Sequence, residues 1–462
     1  MRKAFLKAFS LTLGAATLSA CASLAPEYRR PEPQLPATFT GAGDALQSAP
    51  AQAGAWWQAF GDEALNALVL EALDANRSLR AAVARLEAAR ARRGRAAQDY
   101  LPSGGVTAAR ARRKFADAQG GGRSDTWSAA FDASWELDLF GRVSSSVRAA
   151  DARLGAAEAS LDDVRLTIAA EVARTYFEWR GSQQRGEILA AFITDQATVA
   201  DLTAVRFENG AASPDDLGRA RAQLAADRAA LLAEQDRQRR LRHALAVLTG
   251  RNPGAWQGPP APPLAAMTVQ TLAIGDPAAL IRRRPDIRQA ERRLAASVAD
   301  IGVAAADLFP QVNIGGFVGY VAGNAGDLGS GASLAWQAAP TISWGLLKLG
   351  RVRANIRAGE AESRAALADY EQAVLRALED AENAFGSYGI AQQRLKALLD
   401  QARESRLAAQ ISRVRYEEGE TDYLRALDAA RGARAAETAL VEGLVEQRVA
   451  TLAVHKALGA MP

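Results

Sequence analysis

Along residues 127–138 apolar and polar side chains alternate. Trp127, Ala129, Phe131, Ala133, Trp135 and Leu137 are apolar, with Ser128, Asp132, Ser134, Glu136 and Asp138 between them. A period of two predicts a strand with one apolar and one wet face. At Gly141-Arg142 the pattern changes to a helical one. The same junction returns at 340–352, where Trp344, Gly350, Arg351 and Val352 stand 209 residues after Trp135, Gly141, Arg142 and Val143. Gly210 and Gly250 meet Gly419 and Gly459 at that offset, and Pro102 meets Pro310 at 208. Register kept across two changes of period predicts two copies of one unit, residues 61–250 and 276–459, joined by a linker over 251–275.

Each copy reads as a helix, a β-hairpin, a very long helix and a return helix. In the first, Leu65, Leu68, Val69, Leu73, Leu79, Val83 and Leu86 predict one helix over 62–100, ended by Pro102. The hairpin spans about 103–138, with a weak strand candidate at 104–115 that carries four basic residues. The second hairpin, about 311–344, alternates more cleanly through Val312, Ile314, Val318 and Tyr320, and again through Leu334, Trp336, Ile342 and Trp344. Strands of about ten residues are long enough to cross a bilayer when tilted. Four strands, however, cannot close a barrel, and open edges are not viable in lipid. Three chains would supply twelve strands. The pattern therefore predicts a barrel shared by a trimer, against the alternative of a soluble hairpin.

From Arg142 to Phe207, Val147, Ala150, Leu154, Ala157, Leu161, Val164 and Ile168 advance in steps of three and four. That is a coiled-coil seam of small residues on a helix of about 100 Å. A matching helix is expected over 351–416. Return helices over 215–248 and 423–458 are half as long, and 62–100 and 286–309 are the elements to complement them. One long helix beside two stacked short ones predicts a hollow helical cylinder.

The N-terminus carries Arg2, Lys3 and Lys7, an apolar run to Leu18, and Leu18-Ser19-Ala20-Cys21. This is the pattern of a signal peptide, residues 1–20, too short to span a membrane. Leu-Ser-Ala-Cys resembles a bacterial lipobox, which implies a covalent lipid on Cys21, with Ala22 favouring the outer membrane. Prolines 26, 31, 33 and 36 make residues 21–60 an extended tether that ends at Trp56, Trp57 and Phe60, whose default role is core packing.

Composition adds mainly exclusions. The chain has 462 residues and a formal charge of +4. Without Arg2, Lys3 and Lys7, 53 basic residues face 52 acidic ones, so nucleic acid is not an expected partner. Clusters such as Arg110-Arg112-Arg113-Lys114 read as local surface or interface charge. One cysteine precludes an internal disulfide, and two histidines, His243 and His455, offer little to a triad or a zinc site. No nucleophile–base set, metal cluster or phosphate loop appears, so an enzyme and a cofactor other than the lipid are not expected.

Several segments carry a resemblance: Trp56-Trp57 with Phe60-Gly61-Asp62, Arg283-Arg284-Pro285-Asp286-Ile287-Arg288, Ala306-Asp307-Leu308-Phe309-Pro310 and Arg415-Tyr416-Glu417-Glu418-Gly419. With the lipobox and the repeat, the chain resembles the TolC-like outer membrane efflux factors, in their lipoprotein branch. The resemblance implies a mainly α fold with a membrane β-barrel: a homotrimer with a 12-stranded β-barrel, an α-helical tunnel in the periplasm and an equatorial domain. It implies passage of substrates from an inner membrane pump of the RND type, through a periplasmic adaptor, across the outer membrane. Substrate choice then rests with pump and adaptor. The adaptor-docking tips would be Phe207, Glu208, Asn209, Gly210 and Ser213, with Tyr416, Glu417, Glu418, Gly419 and Asp422. The periplasmic gate would be Leu424 and Asp428, with Arg431 as basic partner. By spacing alone Asp428 and Arg431 are an ordinary helix pair, and the first copy has Arg219 where the second has Asp428. The competing reading is a lipid-anchored coiled-coil scaffold without transport, which leaves the four strands unexplained.

Overall fold

The computed structural model describes residues 26–41, 46–47, 54–116, 121–260, 263–265 and 272–460. The signal sequence and Cys21 lie outside the described residues, as do 117–120 and 266–271. Two compact units emerge. The first is built from the chain up to Pro33, Ala84–Ala159 and Gln289–Gln372, the second from Gln34–Val83, Ser160–Arg288 and Ala373 onward.

The helices are α1 (Glu63–Ala75), α2 (Arg77–Gln98), α3 (Arg142–Glu208), α4 (Pro214–Leu248), α5 (Pro277–Arg283), α6 (Pro285–Ala306), α7 (Leu349–Glu417) and α8 (Tyr423–Ala457). The strands are β1 (Leu46–Gln47), β2 (Ser103–Lys114), β3 (Arg123–Leu137), β4 (Leu272–Ala273), β5 (Gln311–Ala322) and β6 (Leu334–Ser343). Strands β1 and β4 pair in parallel in the second unit.

The first unit holds an antiparallel sheet in the order β2-β3-β5-β6. Its register shows why the alternation matters. Val106, Phe131, Val318 and Trp336 lie side by side, as do Ala108, Ala129, Tyr320 and Leu334. Trp135, Ile314 and Pro340 form another row, and Leu137, Val312 and Ile342 the next. These rows make one apolar face, with Trp336 74% and Ile342 71% exposed. The opposite face carries Asp132, Ser128, Ser134, Glu136, Asn313, Gln337 and Thr341. An apolar outside and a polar inside, with Trp127 and Trp135 eight residues apart, is the pattern of lipid-spanning strands flanked by aromatic girdles. β2 and β6 leave both sheet edges unpaired among the described residues. β2 begins and ends one residue before the strand candidate at 104–115, and β3 starts four residues before Trp127. The four-residue extension of β3 pairs the basic end of β2, whose charges obscured the alternation.

Repeat-related residues make the same contacts at each strand–helix junction. The indole Nε1 of Trp135 donates to the Tyr100 carbonyl at 3.0 Å, and that of Trp344 to the Leu308 carbonyl at 3.1 Å. Asp138 leaves the polar stripe to accept from the backbone of Val143 and Ser144 at 2.9 and 2.8 Å, which caps α3.

The single helix expected over 62–100 is in fact two. It breaks at Asn76, which is extended. The buried Asn76 side chain accepts from Ser78 N at 2.8 Å and donates to the Leu248 carbonyl at 2.8 Å. It therefore caps α2 and the end of α4 together. In the second copy the chain breaks at Arg284 before Pro285, and the Arg284 guanidinium donates to Ala457, the repeat mate of Leu248, at 3.3 Å. The second break is also written locally, because Pro285 drives Arg284 out of the helical region; in both copies a tertiary carbonyl then receives the side chain of the break residue.

The second unit is packed around aromatic rings. Trp56 and Trp57 are buried edge-to-face at 5.7 Å, and Phe60 meets Phe177 at 4.9 Å. The knot of rings at 56–60 is thus core, as its composition predicts.

Candidate functional site

The tips of α3–α4 and α7–α8, in the second unit, bring together most of the residues singled out in the sequence. Both turns are built alike. Gly210 (φ +70°) donates to Phe207 O at 3.0 Å and Ala211 to Arg206 O at 2.7 Å. Gly419 (φ +81°) donates to Tyr416 O at 3.1 Å and Glu420 to Arg415 O at 2.8 Å. This left-handed cap closes the carbonyls of a helix end and needs glycine. The restarts differ. Ser213 and Asp216 form a capping box with Pro214 at the first helical position. Asp422 alone accepts from Arg425 N at 2.9 Å.

Phe207, Glu208, Asn209, Gly210, Ser213, Glu417, Glu418, Gly419 and Asp422 are exposed. Tyr416 is not. It is 4% exposed and forms the tip core with Ala200, Ala220, Tyr423 and Leu427. Its hydroxyl lies 3.0 Å from Thr203 Oγ1, and Arg206 covers its ring at 4.4 Å while donating to the Tyr416 carbonyl at 2.9 Å. Tyr416 therefore joins the two tips instead of offering itself to a partner. Burial pushes the neighbouring Tyr423 hydroxyl up to about 12. Arg413 ties Asp195 to Glu417 at 3.2 and 2.9 Å.

Leu424, Asp428 and Arg431 follow each other in steps of four and three on one stripe of α8, all exposed. The expected Asp428–Arg431 pair is absent in the structure. Arg431 instead donates to Gln223 Oε1 at 2.8 Å. The Gln223 amide donates to both oxygens of Asp227 at 2.9 Å, and Asp227 is ion-paired with Arg434. Arg434 in turn lies on the Phe192 ring at 5.2 Å. Asp227 is 1% exposed, so its charge needs these partners, and Gln223 recruits Arg431 as the far end of the chain. Asp428 accepts no hydrogen bond among the described residues. Its nearest influence is on Arg219, its own repeat mate. The Asp215 carboxylate, with smaller contributions from Asp216 and Asp428, holds that guanidinium above its usual range.

The network residues Gln223, Asp227 and Arg434 were missed in the sequence. Their only signal is polarity among alanines, Gln223 and Asp227 being four apart in an alanine-rich stretch. A cleft of about 580 Å³ lies beside the network, lined by Phe192, Gln196, Tyr416, Tyr423 and Arg434. Among the described residues no cluster of His, Cys, Asp or Glu could hold a metal.

Similarity to known proteins bears on both repeats. The family model for outer membrane efflux proteins matches residues 68–251 and again 277–460. Outer membrane protein OprJ of Pseudomonas aeruginosa is 34% identical over 97% of this chain and 95% of its own length. The probable efflux pump outer membrane protein TtgC of Pseudomonas putida is 28% identical over 97% and 94%. Among solved structures, the outer-membrane channel OprN superposes with a TM-score of 0.89, at 40% identity, over 95% of this chain and 99% of that one. With a family match over most of both repeats and the same fold over 95% of its length, the chain belongs to the outer membrane efflux protein family and is the outer membrane channel component of an efflux system, not an enzyme.

Proposed function

We propose that three copies of this chain close one barrel, are held to the membrane by a lipid on Cys21, and pass substrates received from an RND-type inner membrane pump through a periplasmic adaptor. The adaptor docks on the exposed tip residues Phe207, Glu208, Asn209, Gly210, Ser213, Glu417, Glu418, Gly419 and Asp422. Leu424 and Asp428 form the constriction when the duct is at rest.

The observation that carries the reading is the contrast at the tip. The buried charge there, Asp227, is paired with the half-buried guanidinium of Arg434, whereas Leu424 and Asp428 stay exposed and Asp428 accepts no hydrogen bond among the described residues. A surface carboxylate left open beside an apolar side chain suits repetition about an axis. Three such carboxylates repel one another, favour cations and close only with paired charge. Arg219, within electrostatic influence of Asp428, supplies a cation for that pairing in place of Arg431. The two open sheet edges support three copies sharing one barrel.

A photo-crosslinker at Glu418 in cells is expected to capture a periplasmic adaptor, whose pump then narrows the substrate class. Correctly localised trimers that capture none overturn the partner assignment. In planar bilayers Asp428→Ala is expected to raise the resting conductance, and an unchanged conductance removes Asp428 from the gate.

A further inference from the structure

The basic run on β2 includes none of the tip residues to which docking and gating are assigned. Its register gives it a direction. Gly104, Val106 and Ala108 belong to the apolar face of the sheet, opposite Ala133, Phe131 and Ala129. The next three positions on that face are Arg110, Arg112 and Lys114, opposite Trp127, Asp125 and Arg123. The same outward face therefore changes from apolar to cationic at the aromatic row of Trp127. Toward the helices no outward row contains a charge: Trp135, Ile314 and Pro340, then Leu137, Val312 and Ile342. Only Arg113, opposite Ser124, points to the polar face.

Among the described residues four outward cations meet one carboxylate. Arg112 takes Asp125 in a two-pronged bond at 2.8 and 3.0 Å. Arg110 lies 3.9 Å from the same Asp125 and over the Trp127 ring at 4.8 Å. Lys114 and Arg123 sit directly opposite each other, like charges across the strands, and neither pairs with a carboxylate among the described residues. Facing like charges weaken a hairpin unless an anion lies between or beside them. Arginine forks match phosphate oxygens, and each cation at a charged membrane surface strengthens binding about five-fold.

Within the first unit this end of the hairpin is the strand end remote from α2 and α3; on the proposed reading of a shared outer membrane barrel, these rows lie at the head-group depth of the outer leaflet. We propose that Arg110, Arg112, Lys114 and Arg123 form a lipid-facing site for phosphorylated head groups of that leaflet. The bound phosphates relieve the Lys114–Arg123 repulsion and fix the height of the barrel in the membrane.

The test uses the full-length protein in phosphatidylcholine vesicles that carry either bisphosphorylated lipid A or its dephosphorylated form, with lipid retained on the extracted protein counted by mass spectrometry. Retention of the phosphorylated form is expected to be about 100-fold higher, from the net three surface cations. The triple variant R110Q/R112Q/K114Q loses that preference, whereas R113Q on the polar face keeps it. Equal retention of the two lipids by the unaltered protein overturns the site, even if the triple variant fails to insert. So does loss of the preference in R113Q alone, which would make it an effect of net charge. Release of the lipid by millimolar inorganic phosphate would assign the cations to the free ion and also overturn it.

Discussion

Asp227→Ala probes the tip most directly. Asp227 is 1% exposed, and it accepts from the buried Gln223 amide and from Arg434. Removing one partner of a buried pair costs about 3–5 kcal/mol, because the other charge is left uncompensated. Two features lower that figure. The Arg434 side chain is 26% exposed, so it regains some water, and it keeps the Phe192 face. The Gln223 amide, 7% exposed, has no such outlet and is left short of an acceptor. The balance is about 3 kcal/mol, at the low end of the range. Spent wholly on separating α4 from α8 at the tip, that shifts a closed–open equilibrium by about 100-fold. Single-channel recording should show longer or more frequent openings, and denaturant unfolding should show the lost stability. Asp227→Asn, which keeps the shape and one acceptor, should lose about half as much. A variant with unchanged dwell times and an unchanged unfolding midpoint refutes the reasoning, since the network would then hold nothing together.

Three further outcomes follow from the second unit. Gly250→Ala should cost more than Gly210→Ala although both glycines are left-handed, at +71° and +70°. A Cβ on Gly210 meets nothing, so about 1 kcal/mol is expected, whereas on Gly250 it comes within 2.6 Å of the Ala75 carbonyl; thermal unfolding of the two variants reads the difference. Asn76→Ala should lose about 2 kcal/mol, about 1 from the α2 cap and the rest from the Leu248 carbonyl left without its donor, measured by chemical denaturation. His455, stacked on Trp56 at 5.7 Å with Nε2 buried and unpartnered, is held down to about 4 by burial. The unfolded chain then binds the proton first, so stability present above about pH 6.5 is lost as pH falls toward 4, by on the order of 3 kcal/mol. His455→Phe should flatten that part of the pH profile of unfolding, and an unchanged slope would place the effect elsewhere.

The duplication, the hairpins and the long helices were legible because each rests on a local period. The step of two in β3, β5 and β6 and the unbroken steps of three and four in α3 need no knowledge of what packs on them. Trp135 and Trp344 could be matched by offset, and they make the same carbonyl contact in both copies. The helix turns at Gly210 and Gly419 were legible for the same reason, since a left-handed cap is written in one residue. The break at Asn76 was not. Asparagine favours a cap over a helix interior, but the apolar steps run on through it, and its acceptor, Leu248, lies 172 residues away. Nor was the partner of Arg431. Spacing puts Asp428 within reach on the same helix, but a surface ion pair is worth under about 1 kcal/mol. The buried Asp227 costs far more to leave alone, and Gln223 connects the two across 208 residues. Helical and strand periods are set by the local backbone geometry of each segment, and the sequence by itself determined those elements. Which polar groups meet is decided by desolvation, and that depends on burial, which only the tertiary structure decided.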